Sequence, residues 1–422
     1  MKIKVTEATY DEVMAKPQAK RKKPVRPAWA LRALIRLLAI SDLKATKFSY
    51  KMHGMEKLGK NEPCLILMNH SSFIDLKIAH TIFKKRPFNI VCTSDGFVGK
   101  EGLMRHIGCI PTNKFVTDVA LVRDIRYCLT KLKCSVLMYP EASYSFDGTA
   151  TPLPEGVGKS LKVLKVPVVM IRTHGAFTRD PLYNNLQLRK VKVSADVTYL
   201  LSPEDIEQKS AEELNEILKA QFTFDNFKWQ QENKVLVDEK FRADHLNRVL
   251  YKCPHCNVEG QMIGKGTTIK CKSCGAEYEL TEYGYLKYLG VHEEDGKFTH
   301  IPDWYRWERE EVKKELQAGR YRLEVPVDIY MLTDMKSIYK VGEGNLLHNH
   351  RGFVLDGCDG KLHYEQKPGA SYSLYSDYYW YEIGDMICIG DNKVLYYCFP
   401  KVAGDFVAKT RLATEELYKM NN

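Results

Sequence analysis

Hydrophobic positions along the chain change their period three times. Residues 29–40 place Trp29, Leu31, Leu34, Ile35, Leu38 and Ile40 on one broad face, with Arg32 and Arg36 four apart on the other, the spacing of an amphipathic helix. Between residues 50 and 200, short apolar runs at 64–68 (CLILM), 88–92 (FNIVC), 135–139 (SVLMY), 167–171 (PVVMI) and 191–199 read as strands. Val119, Val122, Ile125, Leu129 and Leu132 recur at helical spacing within residues 116–132, and residues 156–164 form a shorter helical candidate. Strands alternating with helices predict an α/β fold, a mainly parallel sheet flanked by helices. Ser202-Pro-Glu-Asp205 resembles a capping box with proline at the first helical position and opens a helix toward Ala220. Residues 221–250 are polar with helical tendency and link or extend this region. Beyond about residue 318 the texture turns to short Tyr-, Val- and Ile-rich runs between Gly and Asp turns, an antiparallel β-domain pattern, and residues 403–420 read as a closing helix.

Composition changes the picture in two places. At 422 residues, with 44% apolar and 27% charged residues, the chain is an ordinary folded protein of about three domains, not a disordered, collagenous or disulfide-scaffold chain. The pattern divides it into residues 1–48 (basic tail and amphipathic helix), 49–240 (the α/β domain), 251–282 (a cysteine cluster) and 318–422 (a β-rich domain with its helix). No leader pattern and no uncharged apolar run of about 18 residues stands out. Of the net charge of +10, residues 1–50 supply +8, from twelve Lys/Arg against four Asp/Glu. Basicity is therefore local, and no nucleic-acid partner is expected. A basic tract (KPQAKRKKPVR, 16–26) beside a Trp-containing apolar face suits a helix lying on an anionic membrane surface; the other reading packs that face on its own domain and leaves a solvated tail. Residues 1–15 carry no readable pattern. Eight of the twelve cysteines scatter, as reduced cytosolic thiols do.

The chemistry concentrates at Leu65-Ile-Leu-Met-Asn69-His70-Ser-Ser-Phe-Ile-Asp75, where a buried strand ends, a polar turn follows and a helix begins. His70 is the side chain whose free pKa suits a general base near neutrality, and Asp75 can fix its tautomer. Residues five apart on one straight helix point about 140° from each other. His70 must therefore precede the helix and Asp75 reach back from its first turn, with Ser71 or Ser72 as N-cap. About 0.6 such His-x4-Asp spacings are expected by chance among the histidines here. Context, not spacing, raises this one.

That context is a set of four ordered blocks. Asn69-His70-x4-Asp75 resembles the first motif of the glycerolipid (lysophosphatidic acid) acyltransferase superfamily. Lys100-Glu-Gly-Leu-Met-Arg-His-Ile-Gly108-Cys-Ile-Pro-Thr-Asn-Lys114 is similar to the second. Leu137-Met-Tyr-Pro140-Glu141-Ala142-Ser143-Tyr144-Ser145 resembles the third, an apolar strand followed by Pro-Glu-Gly-Thr-Arg-Ser. Val166-Pro167-Val168-Val169-Met170 is similar to the fourth, a strand lining the fatty-acyl site. The likeness spans about residues 50–200. It implies that His70 takes a proton from an acceptor hydroxyl, which attacks the thioester of acyl-CoA or acyl carrier protein, and that Asp75 orients His70. It further implies that Asn69, Glu141 and Ser143 shape the acceptor site and that Lys114 holds a phosphate, as a phosphomonoester requires. Glu141 as a structural carboxylate and Lys114 as a surface lysine remain the plainer accounts. Two departures stand out: Ala142 replaces the family glycine and Tyr144 the family arginine, a charge that Arg172 or Arg179 would have to restore.

Cys253-Pro-His-Cys256, fourteen residues, then Cys271-Lys-Ser-Cys274-Gly gives two knuckles of two thiolates each, a tetrahedral set suited to structural Zn2+, with His255 outside it. Iron or a redox dithiol are the lesser alternatives. Gly264 and Gly266 read as turn punctuation in a zinc-ribbon hairpin. His348-Asn-His350 is either a metal pair or a pair of turn histidines. The β-rich domain fits a pleckstrin-homology-like barrel. Together these features predict a peripheral acyltransferase on the cytoplasmic face of a membrane, acting on a lysophospholipid, most plainly 1-acyl-glycerol-3-phosphate. The alternatives are a non-phosphate lipid acceptor or an inactive zinc-ribbon binding protein.

Overall fold

The computed structural model describes residues 2–17, 20–116, 118–402 and 404–422. They fall into two compact units: residues 20–180 with 188–226, and the described residues of 1–19 with 181–187 and 227–422. Residues 227–240, which the sequence pattern groups with the α/β domain, thus belong to the unit that holds the cysteine cluster.

The α/β unit is built on a seven-stranded sheet in the order Ser49–His53, Ser194–Leu201, Val168–His174, Leu65–Met68, Ser135–Met138, Phe88–Thr93 and Cys109–Thr112. Among the described residues, five of its six pairings are parallel; only Val168–His174 with Ser194–Leu201 is antiparallel. Alternate residues of the central strands, Leu65, Leu67, Val136, Val168 and Met170, pack with Ile125, Leu129, Val157, Leu161, Leu214 and Leu218 from the helices Val119–Thr130, Gly156–Leu164 and Ala211–Phe222. The continuous apolar runs are those of strands covered on both faces.

Two local expectations are corrected. The helix opened by Ser202 closes at Gln208, and a second capping box, Ser210 with Glu213, starts the next one. The basic residues 20–26 run along the unit instead of forming a tail. Arg21 bonds Asp118 and Asp124, each at 2.8 Å, and Asn89 donates to the Val25 carbonyl at 2.8 Å. Thr117, inside the predicted helix 116–132, lies outside the described residues; Asp118 is the N-cap.

The amphipathic helix, Trp29–Ala45, turns much of its apolar surface outward, while Leu31 and Ile35 are half-buried. Trp29 is 79% exposed and Leu37 64%, and Leu34, Leu38 and Ile40 are also exposed. Its inward side carries Ala39 and the arginines. Arg32 donates to the Lys84 carbonyl at 3.1 Å, and burial followed by the Arg32 and Arg36 charges pushes buried His80 down to about 4. No described helix is long and apolar enough to cross a membrane.

The other unit contains a four-stranded antiparallel sheet, Met262–Lys265, Thr268–Cys271, Glu277–Leu280 and Leu286–Tyr288, around the cysteine cluster. Gly266 makes the hairpin turn at φ +68°, but Gly264 serves close approach: a Cβ there would lie 2.4 Å from the Ala243 carbonyl oxygen. An antiparallel meander follows, from Arg322–Leu332 to Leu395–Pro400. Its first and last strands pair, and among the described residues no strand pairing joins its two ends, Leu362–Gln366 and Tyr375–Trp380. The closing helix spans Phe406–Asn421; Ala403, where the pattern begins it, lies outside the described residues. Val5–Glu7, from the stretch without a readable pattern, joins this sheet as a parallel strand beside Ile338–Lys340. His348 is buried in the sheet, stacked on Phe353 at 3.7 Å and bonded to the Tyr321 hydroxyl at 2.9 Å, so it is neither a turn histidine nor half of a metal pair.

Candidate active site and metal centre

The strand Leu65–Met68 is flanked in parallel by Ser135–Met138 and Val168–His174, so three of the four sequence blocks end side by side at its carboxyl edge. Asn69 fastens that edge: its Oδ1 accepts the Thr173 amide at 2.8 Å and its Nδ2 donates to Ser71 Oγ at 3.2 Å. His70 follows in the turn before the helix Ile74–Ile82, and Asp75 sits in the first helical turn. Asp75 Oδ2 lies 3.2 Å from His70 Nδ1 and also accepts the Ser71 and Ser72 amides at 2.8 and 3.0 Å. Asp75 is 1% exposed, so its charge is held by donors at the helix N-terminus. The N-cap position itself is Phe73, with Ser72 Oγ accepting the Ile74 amide at 3.2 Å.

The imidazole keeps 23% of its surface accessible, and Nε2 has no hydrogen-bond partner among the described residues. Its two faces are covered by Tyr139 and Tyr144, each with its ring centroid at 4.2 Å. Burial pushes the His70 pKa below its ordinary value. Asp75 opposes that, and the Lys114 charge acts through space in the same direction as burial. A neutral imidazole with Nδ1–H on Asp75 and Nε2 open is a base ready to accept a proton.

The third block supports the turn from below. Glu141 is buried, with Oε2 accepting the His70 amide at 3.0 Å and Oε1 the Thr151 amide at 2.9 Å. Ser143 is buried, its amide on the Glu141 carbonyl at 2.8 Å. Ala142 stands at φ +56°, the left-handed conformation that the family's glycine adopts freely. Ala142→Gly is expected to stabilise the fold by about 0.5–1 kcal/mol despite glycine's looser unfolded chain, read as a higher denaturation midpoint.

In the second block, Glu101–Ile107 ends on Gly108 at φ +104°, where a Cβ would meet Pro27 at 2.6 Å. Cys109–Thr112 then leads to the turn bearing Lys114. Neither Arg172 nor Arg179 is placed to replace the missing arginine. Arg172 bonds the Gln221 carbonyl, and buried Arg179 bonds Asp180 at 3.0 Å. Burial pushes Asp180 up to about 7, against the Ser72 hydroxyl and the Arg179 charge. The tyrosine pair and the Ser72–Asp180 bond escape sequence reading. Tyr144 shows there only as a departure, and Asp180 lies 108 residues from its partner.

In the other unit the Sγ atoms of Cys253, Cys256, Cys271 and Cys274 all lie within 4.8 Å of one another, the one such metal-capable group among the described residues. Cys253–Cys274 and Cys256–Cys271 are 3.6 and 3.7 Å apart. Four thiolates at about 2.3 Å around a tetrahedral Zn2+ sit about 3.8 Å apart, so the donor set fits that ion. Both knuckles turn alike: Asn257 and Gly275, each just after the second cysteine, have φ of +60° and +79° and donate to the Cys253 and Cys271 carbonyls at 2.9 Å. His255 bonds the Tyr278 hydroxyl at 2.7 Å, outside the sulfur set.

Residues 49–173 match the acyltransferase family. Over 125 residues the chain is 22% identical to the human protein named 1-acyl-sn-glycerol-3-phosphate acyltransferase beta, covering 29% of this chain and 45% of that relative, under half its length. A solved structure of the 1-acyl-sn-glycerophosphate (LPA) acyltransferase PlsC from Thermotoga maritima superposes with a TM-score of 0.36 at 15% identity, covering 45% of this chain and 78% of the other.

Proposed function

Because residues 49–173 belong to the glycerolipid acyltransferase superfamily, we propose that this protein moves a fatty acyl group from acyl-CoA or acyl carrier protein to the hydroxyl of a lysophospholipid, 1-acyl-glycerol-3-phosphate foremost. The observation that carries the reading is His70, with Nδ1 on a buried carboxylate and Nε2 open. Nε2 takes the acceptor's hydroxyl proton as its oxygen attacks the thioester carbonyl. The tetrahedral intermediate then expels the thiolate, and the imidazolium returns the proton to sulfur. Asp75 stabilises the imidazolium between these steps. The thioester is already activated, so no protein nucleophile is required. Lys114, whose charge reaches His70, binds the acceptor's phosphate. Asn69, Glu141 and Ser143 act beneath the acceptor, holding the turn that presents His70.

The four cysteines would hold one structural Zn2+ that would crosslink the two knuckles, their four thiolates leaving no open position for chemistry. The outward apolar side of Trp29–Ala45 supports attachment to the cytoplasmic face of an anionic membrane, with the basic residues around it adding attraction. Replacing Leu37 and Leu38 together by aspartate is expected to lower binding to phosphatidylserine-containing vesicles by at least tenfold in a sedimentation assay, while melting behaviour is unchanged.

Tyr144 favours a second reading. Its ring lies tilted against the imidazole, 4.2 Å between centroids, putting an aromatic group where the family carries arginine. A lipid alcohol without phosphate fits that wall. Purified full-length chain assayed for thioester consumption with acyl-CoA and acyl carrier protein donors, against lysophosphatidate, other lysolipids and neutral lipid alcohols, separates the two. Preference for lysophosphatidate supports the first reading, and indifference to phosphate the second. No consumption with any acceptor removes the enzyme.

A further inference from the structure

The turn that carries His70 is tied to a buried carboxylate from a distant part of the chain. Asp180 follows the short helix Ala176–Arg179 and is 1% exposed. Its Oδ1 accepts the Ser72 hydroxyl, and its Oδ2 accepts Arg179 Nη1 at 3.0 Å. The same Ser72 oxygen accepts the Ile74 amide at 3.2 Å, so the hydroxyl is fixed at both ends. The Ser72 amide donates at 3.0 Å to Asp75 Oδ2, the oxygen that faces His70 Nδ1. Behind Asp180, Arg179 Nη2 lies 3.7 Å from Asp42 of the amphipathic helix, and Asp42 also pairs with Lys77, two residues past Asp75.

Burying a carboxylate and a guanidinium is costly, and well-packed apolar side chains would serve stability as well. What such a pair supplies is geometry. Between His70 and Asp75 the turn has one backbone hydrogen bond of its own among the described residues, from the Asp75 amide to the Ser72 carbonyl at 3.2 Å. Misplacing a reacting group by about 1 Å can cost about 10²-fold in rate.

We propose that Asp180 is a positioning residue for acyl transfer. Through the Ser72 hydroxyl it fixes the turn that aims Asp75 at His70. Through Arg179 and Asp42 it makes the seating of the amphipathic helix part of the same support. This rests on His70 being the base.

The test uses the full chain with palmitoyl-CoA and 1-acyl-glycerol-3-phosphate. Ser72→Ala, Asp180→Asn, Asp180→Ala, the Ser72→Ala/Asp180→Asn double variant and His70→Ala are compared by initial rates. Ser72→Ala and Asp180→Asn are each expected to lower kcat roughly 10- to 100-fold with KM within about twofold. The double variant falls no lower than the worse single, because both act on the one Ser72–Asp180 link, which Ser72→Ala removes and Asp180→Asn weakens. Asp180→Asn keeps an oxygen for Ser72 and retains more activity than Asp180→Ala. In parallel, 15N NMR of the imidazole is expected to show a single Nδ1–H tautomer for His70 in the unaltered protein and a tautomer mixture in Ser72→Ala, a readout that needs no substrate. Activity surviving His70→Ala removes the base, whatever Asp180 does. With His70→Ala inactive, wild-type kcat in Ser72→Ala, or effects that multiply in the double variant, overturns the positioning role. If the Asp180 variants melt below the assay temperature, Ser72→Ala, which loses one oxygen, decides by itself.

Discussion

His70→Ala is expected to lower kcat/KM for acyl transfer by roughly 10²–10⁴-fold, the usual contribution of a positioned general base. The loss should fall on kcat, because the imidazole takes the proton only as the new bond forms. Thermal unfolding should change little: the ring keeps an exposed edge, and Asp75 keeps its Ser71 and Ser72 amide donors in the variant. The pH dependence follows from the direction of the His70 shift. Burial holds the folded pKa below the ordinary value of about 6.5, so the base form predominates at neutral pH. Activity is lost as pH falls through that depressed value, and the acid limb of kcat/KM lies below about 6.5. Retained turnover in His70→Ala, or an acid limb well above neutrality, contradicts this assignment. The measurement is thioester consumption at acceptor concentrations from below to above KM across pH 5–9, which separates kcat from kcat/KM.

Loss of the metal is the second large expected effect. Structural zinc contributes on the order of 10–16 kcal/mol in small zinc-binding peptides at neutral pH, comparable to the whole stability of a domain. Cys253→Ser or Cys271→Ser, or treatment with a strong chelator, should therefore release one equivalent of Zn2+. It should also expose the backbone amides of the sheet Met262–Tyr288 to hydrogen exchange. The scattered cysteines make the control: Cys398→Ala, in the interior of the meander, should leave zinc content unchanged. Full protection of that sheet after complete metal removal would falsify the structural role.

How much of this was legible beforehand depends on how far apart the partners lie. The knuckles, the His70-to-Asp75 turn and the central strands are local patterns, and they stand within a few residues of where hydropathy and spacing place them. The edge strand Ser49–His53 was missed although Tyr50 and Met52 alternate with Ser49, Lys51 and His53; its five residues are all exposed, so no apolar run marks it as the buried strands are marked. Cys109–Thr112 holds a proline that weakens any strand signal. Periodicity found two faces on Trp29–Ala45 but could not say which one meets the protein. The arginines, apparent candidates for the solvent side, pack inward beside His80. Glu141 reads in sequence as a residue of the acceptor site, whereas its carboxylate receives the His70 and Thr151 amides. Such roles depend on where separate strands end, and no single segment records that.

The short strand Val5–Glu7 has a consequence for biosynthesis. Its neighbour, Ile338–Lys340, is translated more than three hundred residues after it. At about 5–20 residues per second, Val5–Glu7 waits roughly 15–70 seconds with its amide edge unmatched. The α/β unit is synthesised in that interval, so this pairing closes only after a whole compact unit has been translated between its two partners.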